Sequence, residues 1–102
     1  MPTVRFPSTN AEFTPEQLAS GGAEIPTQVY IVLLKDSDAV GDNYQTLLNS
    51  FNAHFGISWE HRPMFGGKIL SGTLDQDQVA WLLANDGGFI KVIEADGEVG
   101  IA

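Results

Sequence analysis

The run Gln-Val-Tyr-Ile-Val-Leu-Leu-Lys at residues 28–35 constrains the fold more than any other stretch of this chain. Its continuous β-branched and aliphatic residues predict a central strand that is covered on at least one face. At 102 residues the chain supports one domain with a modest hydrophobic core. We therefore expect this strand to lie at the centre of a single small sheet.

The apolar residues after this strand alternate between helical and strand spacing. From Val40 to Phe55 they recur every three or four positions, which predicts a helix that Gly56 ends. Gly66-Gly67 predicts a hairpin between two strands. The expected elements are a strand at 28–35, a helix at 40–55, strands at 57–65 and 68–74, a helix at 76–85 and a strand at 89–95.

This β-α-β-β-α-β order predicts the fold class. Two βαβ halves with right-handed crossovers place the first and last strands side by side, with both helices on one face. We therefore predict a ferredoxin-like α+β sandwich with a four-stranded antiparallel sheet. This fold hosts many unrelated functions, so it predicts none by itself.

Residues 1–27 have a different composition, with scattered apolar residues and most of the prolines. Thr14, Pro15 and Gln17 form a capping-box pattern, which predicts a short helix that Gly21 stops. The sequence leaves open whether this N-terminal leader is flexible or packs on the domain. We accordingly divide the chain into a leader (1–27), a folded domain (28–96) and a C-terminal tail (97–102).

The composition narrows the classes of partner. Five Lys and Arg against thirteen Asp and Glu give a formal net charge of −8, so repulsion from phosphates argues against nucleic acid and against an anionic membrane surface. The chain contains no cysteine, which excludes disulfides and thiol chemistry. Neither a signal peptide nor a membrane span is visible, so we expect a cytoplasmic or otherwise intracellular protein, with secretion by another route left open. We also expect the protein to act as a monomer.

No motif indicates an active site, a metal or a cofactor. Asp36-Ser37-Asp38 resembles the start of a calcium loop, but Leu47 stands where the bidentate glutamate belongs. His54 and His61, the chain's two histidines, have no spacing that demands a metal site or a general base. We therefore expect a protein that is not an enzyme and that has no cofactor and no bound metal.

Three segments of the chain resemble the subtilisin-propeptide-like peptidase inhibitors. They read Tyr-Ile-Val-Leu-Leu-Lys at 30–35, Lys-Ile-Leu-Ser-Gly-Thr-Leu at 68–74 and Val-Ile-Glu-Ala-Asp-Gly-Glu-Val at 92–99. The family, which includes protease propeptides and stand-alone fungal and yeast inhibitors, ends in a hydrophobic pair, a Glu-Glu-Asp cluster and a tail of fixed length. This chain keeps Glu94 and Asp96 but has Ala95 in place of the middle glutamate.

The resemblance implies inhibition of subtilisin-like serine proteases, together with a propeptide-like ability to assist their folding. The tail would enter the substrate cleft as an added strand. By the resemblance, Ala102 would occupy the primary specificity pocket and present a product-like carboxylate, with Val99 in a hydrophobic pocket further along and Gly100 and Ile101 between them. Glu94 and Asp96 would cap the N-termini of enzyme helices.

Ala102 departs from the family pattern, because it is small for a subtilisin pocket. Its size predicts lower affinity or a different protease preference.

The alternative function is a non-catalytic ferredoxin-like module for protein binding or assembly, with no protease partner.

Overall fold

A computed structural model describes residues 2–35 and 42–97, except for the side chains of residues 42–44. Within these ranges the protein is an α+β fold with three helices and a mixed sheet of six strands. The elements are β1 (Val4–Phe6), β2 (Ala11–Phe13), α1 (Pro15–Ser20), β3 (Gln28–Leu34), α2 (Asp42–Phe55), β4 (His61–Met64), β5 (Ile69–Leu74), α3 (Gln76–Ala84) and β6 (Ile90–Ala95).

The predicted four-stranded antiparallel sheet is wrong in its strand number, and the sheet is mixed because one added strand pairs parallel to its neighbour. The observed order is β2-β1-β6-β3-β5-β4. The four strands from β3 onward pair antiparallel in the expected order, whereas β1 pairs parallel to β6 and carries β2 as a hairpin partner. The two additional strands come from the supposed leader. Each has three residues, which is too short to produce a clear alternating pattern.

The N-terminal helix α1 forms where the capping-box pattern predicted it. The Thr14 side chain accepts from the Gln17 backbone N–H at 3.2 Å, and the Gln17 side chain accepts from the Thr14 N–H at 2.8 Å. Pro15 begins the helix, and Gly21 ends it in the left-handed conformation with φ 80°. Only glycine adopts that conformation without steric cost.

The β4 strand begins later than the predicted strand at 57–65. Ile57 and Trp59 lie in the connection from α2, because the Trp59 backbone N–H donates to the Asn52 side chain at 3.0 Å rather than to a neighbouring strand. The Trp59 indole N–H donates to the Thr73 carbonyl at 2.9 Å. This connection is therefore held by side-chain contacts, and pairing with β5 begins at His61.

One hydrophobic core joins the N-terminal elements to the rest of the chain. Alternate residues of β3 point into it, and Val4, Phe6 and Leu18 contribute to the same buried cluster as the apolar faces of α2 and α3. The helical members of this cluster are Leu18, Leu47, Leu48, Phe51, Val79, Leu82 and Leu83. All three helices therefore pack on one face of the sheet.

Side-chain hydrogen bonds also connect the end of α1 and the segment after it to α3 and β3. The Gln76 side-chain amide donates to the Leu18 and Ala23 carbonyls, both at 3.0 Å, and accepts from the Ile25 N–H at 2.9 Å. The buried Tyr30 hydroxyl donates to the Pro26 carbonyl at 2.6 Å. Each bond satisfies a polar group that would otherwise lose its hydrogen-bonding partner on burial.

Phe6→Ala tests whether the N-terminal strands belong to the cooperative fold. Phe6 is fully buried, with edge contacts to Phe13 and Tyr30, so its truncation should cost about 3–5 kcal/mol of unfolding free energy in urea. Phe65→Ala removes the same atoms at an exposed site and should change stability by less than about 0.5 kcal/mol. Equal effects of the two substitutions would contradict the buried role of Phe6.

Tyr30→Phe should show a pH-dependent loss of stability. At pH 7 it should cost about 1 kcal/mol, because the bond to the Pro26 carbonyl is lost. Burial raises the pKa of Tyr30, so stabilisation by the protonated hydroxyl is present below the unfolded pKa of about 10 and is lost as the pH rises above it. The difference between the wild type and the variant in urea unfolding should therefore begin to shrink near about pH 10, where the unfolded tyrosine ionises, and should go on shrinking as the pH rises toward the folded-state pKa. A constant difference would contradict this account.

Candidate functional site

The face of the sheet opposite the helices has no covering element among the described residues. In β3 the buried residues alternate with Val29, Ile31 and Leu33, which are exposed or half-buried. We call the surface around them the open face. The strand registers place on it Arg5 and Glu12 of the N-terminal hairpin, Val29, Ile31, Leu33, Arg62, Met64, Ile69, Ser71, Thr73, Val92 and Glu94.

An apolar row crosses one end of the open face. Leu33 of β3 lies opposite Ile69 on one side and opposite Val92 on the other, and Met64 lies opposite Ile69. All four side chains are half-buried. Apolar side chains that adjoin one another on a protein surface can mark a site where a partner or ligand binds. This row therefore makes the open face a candidate contact surface.

A charged row lies next to the apolar row. Glu94 of β6 lies between Ile31 of β3 and Arg5 of β1, and Arg5 lies opposite Glu12 of β2. The Arg5 Nη1 is 3.8 Å from the Glu94 Oε2, with side chains 47% and 27% exposed. The Thr3 hydroxyl donates to the Glu12 carboxylate. Arg5 therefore lies between two carboxylates on the solvent side of the sheet.

Asp96 continues the strand pairing one residue past β6. Its backbone N–H donates to the Val29 carbonyl at 3.1 Å, and its side chain is exposed. Ala95, between the two acidic residues, lies opposite Tyr30 and is buried in the core. A glutamate at position 95 would have to bury its carboxylate. The alanine therefore removes no charge from the open face.

The predicted site residues divide into two groups. Glu94 and Asp96 lie on the same side of the sheet, at adjacent outward positions of one strand and its extension. Val99, Gly100, Ile101 and Ala102 lie outside the described residues.

The two histidines lie in separate aromatic contacts. His54 stacks on Trp81 with ring centroids 5.4 Å apart, and His61 stacks on Trp59 at 5.0 Å. Among the described side chains, those of residues 2–35 and 45–97, no group of three His, Asp or Glu is arranged to hold a metal ion. The calcium-like segment at 36–41 lies outside these ranges.

Sequence reasoning missed the part that the N-terminus contributes to this surface. Arg5 reaches Glu94 only because β1 pairs with β6, and that contact joins opposite ends of the chain. Val4, Arg5 and Phe6 do alternate, with the arginine on one face and the two apolar residues on the other, but three residues are too few for the sequence alone to indicate a strand.

No protein-family model, curated protein or solved structure matches this chain. In the described part of the chain, no helix has the length and apolar composition needed to cross a membrane. The open face, with its apolar row and the carboxylates of Glu12, Glu94 and Asp96, is thus the feature on which a functional proposal can be built.

Proposed function

We propose that the protein inhibits subtilisin-like serine proteases by laying the open face on the enzyme surface and directing residues 97–102 into the substrate cleft. The observation that carries this proposal is the position of Glu94 and Asp96, which share the open face with an apolar row. A docking surface of this kind combines an apolar contact area with charges that orient the partner.

The topology supports the proposal. Strands β3 to β6 with α2 and α3 follow the order β-α-β-β-α-β, and their sheet order is β6-β3-β5-β4. We propose that this part is a ferredoxin-like unit to which β1 and β2 add an extension beyond β6. This is the fold that the family resemblance implies.

The two carboxylates would cap the N-termini of helices on the enzyme. Free N–H groups and the helix dipole make such an end attractive to anions. Glu94 is not committed to another strong contact, because an exposed ion pair such as the one with Arg5 contributes about 0–1 kcal/mol. A helix end on the protease can therefore engage Glu94 at small cost.

The tail would bind as an extended strand, adding main-chain hydrogen bonds in the cleft by β-augmentation. Val99, Gly100, Ile101 and Ala102 remain the predicted cleft-binding residues. The chain continues from β6 through Asp96 and Gly97, and Asp96 bonds to Val29 at that end of the sheet. We propose that the tail enters the substrate cleft from this end of the sheet.

The N-terminal extension would help the inhibitor to resist proteolysis by the enzyme that it binds. A bound inhibitor that unfolds becomes a substrate, and proteolysis follows the population of open states. Val4 and Phe6 are fully buried, and β1 pairs with the strand that leads to the tail, with the Ile93 N–H donating to the Thr3 carbonyl at 3.0 Å. Both features lower the population of open states around β6.

A second candidate is a non-catalytic assembly module that uses the same face. The half-buried apolar row across Met64, Ile69, Leu33 and Val92 favours it, because such a row can also pair two copies of one chain. Self-association through the open face without protease inhibition would select this candidate.

The combination Glu94→Gln with Asp96→Asn tests the protease proposal. If both carboxylates cap helices on the enzyme, the inhibition constant against subtilisin should rise about 10-fold, with the urea midpoint nearly unchanged. The assay is hydrolysis of a small chromogenic peptide by subtilisin at increasing concentrations of the protein.

Glu16→Gln with Glu24→Gln is the matched control. It neutralises two exposed carboxylates in and after α1, on the helix side of the sheet, and should leave the inhibition constant within about 2-fold. If both double substitutions raised the inhibition constant equally, Glu94 and Asp96 would act only through the net charge of the protein and would not cap helices on the enzyme. Absence of inhibition by the wild type would overturn the proposed function.

A further inference from the structure

The turn between β4 and β5 contains an unfavourable residue. Phe65 and Gly66 both have positive φ, 53° and 68°, and the Gly67 N–H donates to the Met64 carbonyl at 3.2 Å. Positive φ at both central positions is the requirement of a type I′ turn, which strongly favours Asn, Asp or Gly at the first of them. A bulky aromatic residue is strained there, because its Cβ crowds the backbone.

The N-terminal hairpin provides a comparison within the same chain. Among the described residues, Asn10 is the other non-glycine residue with positive φ, at 57°. It lies in the turn between β1 and β2. Asparagine tolerates this conformation because its short polar side chain bonds locally. The chain thus has a favoured residue in one hairpin and a disfavoured one in the other.

Burial does not compensate for the strain at Phe65. Its side chain is 76% exposed, against 42% for Ile57 and 38% for Val29, the other large apolar residues exposed in the described ranges. Phe65 also makes none of the aromatic contacts that connect Phe51, Phe55 and Trp81. In the free protein this ring therefore has little burial and no ring contact to offset the cost of its backbone.

The hairpin tip lies at a defined place relative to the open face. Phe65 directly follows Met64, which begins the apolar row at the Leu33 end of the sheet. Asp96 and the start of the tail lie at the opposite end, beside Val29. A partner that covers the open face and takes the tail would meet the hairpin at its far margin.

The geometry points to Phe65 as a second anchor, which inserts into an apolar pocket on the protease surface outside the substrate cleft. This inference rests on the proposed function and adds a contact remote from the tail. An exposed aromatic side chain has few rotamers to lose on binding and large area to bury, so it contributes strongly at interfaces. Strain retained at such a residue is typical of binding sites.

Phe65→Asn separates binding from folding, because asparagine suits the turn and removes the ring. We expect the inhibition constant against subtilisin to rise about 10-fold or more, while the urea midpoint stays the same or rises. Phe65→Tyr keeps the ring and should retain inhibition within about 3-fold. Ile57→Asn, a matched loss of an exposed apolar side chain before β4, should change inhibition by less than about 2-fold.

The outcomes distinguish this inference from the proposed function. Wild-type inhibition with an unchanged constant for Phe65→Asn would overturn the Phe65 anchor and leave the protease proposal standing. Weaker inhibition together with a lower urea midpoint would also overturn the anchor, because the ring would then serve the fold. Absence of inhibition by the wild type would overturn both proposals.

Discussion

The pairing of β6 with β3 on one side and with β1 on the other is the constraint on which the rest of the structure depends. Because strand side chains alternate, the register that opposes Ile93 to Val32 sends Ile93 and Ala95 into the core and Glu94 to the open face. A shift of one residue would bury the Glu94 carboxylate and expose Ile93. The core and the proposed binding surface are therefore specified by the same hydrogen bonds.

The N-terminal strands change what this surface can do. Without β1, β6 would be an edge strand with unpaired main-chain groups, and such edges invite pairing with other chains. With β1 in place, the free edges of the described sheet are β2 and β4, and Pro63 in β4 cannot donate to a further strand. β1 also brings Arg5 beside Glu94. The extension thus protects the strand that leads to the tail and sets the charge pattern of the open face.

Local patterns predicted the local parts of this fold. The apolar run of β3 and the capping box at Thr14 each depend on residues close in sequence, and both elements formed where expected. The pairing of Val4 with Ile93 joins distant parts of the chain, so no short window could reveal it. The sequence motif indicated that Glu94 and Asp96 share one face of a strand. It could not indicate that Arg5 and Ile31 lie beside Glu94, because those neighbours follow from strand registers between distant parts of the chain.

The proposed function is tested most directly by mapping which surface of the protein, if any, contacts a subtilisin-like protease. Cross-saturation NMR on the deuterated, methyl-labelled protein, bound to a catalytically inactive subtilisin variant, reports which methyl groups lie near the enzyme. We predict saturation of Ile31, Leu33, Ile69 and Val92 on the open face. Saturation confined to Ala19 and Ala84, which lie on the helix side, or to no methyl group, would contradict the account.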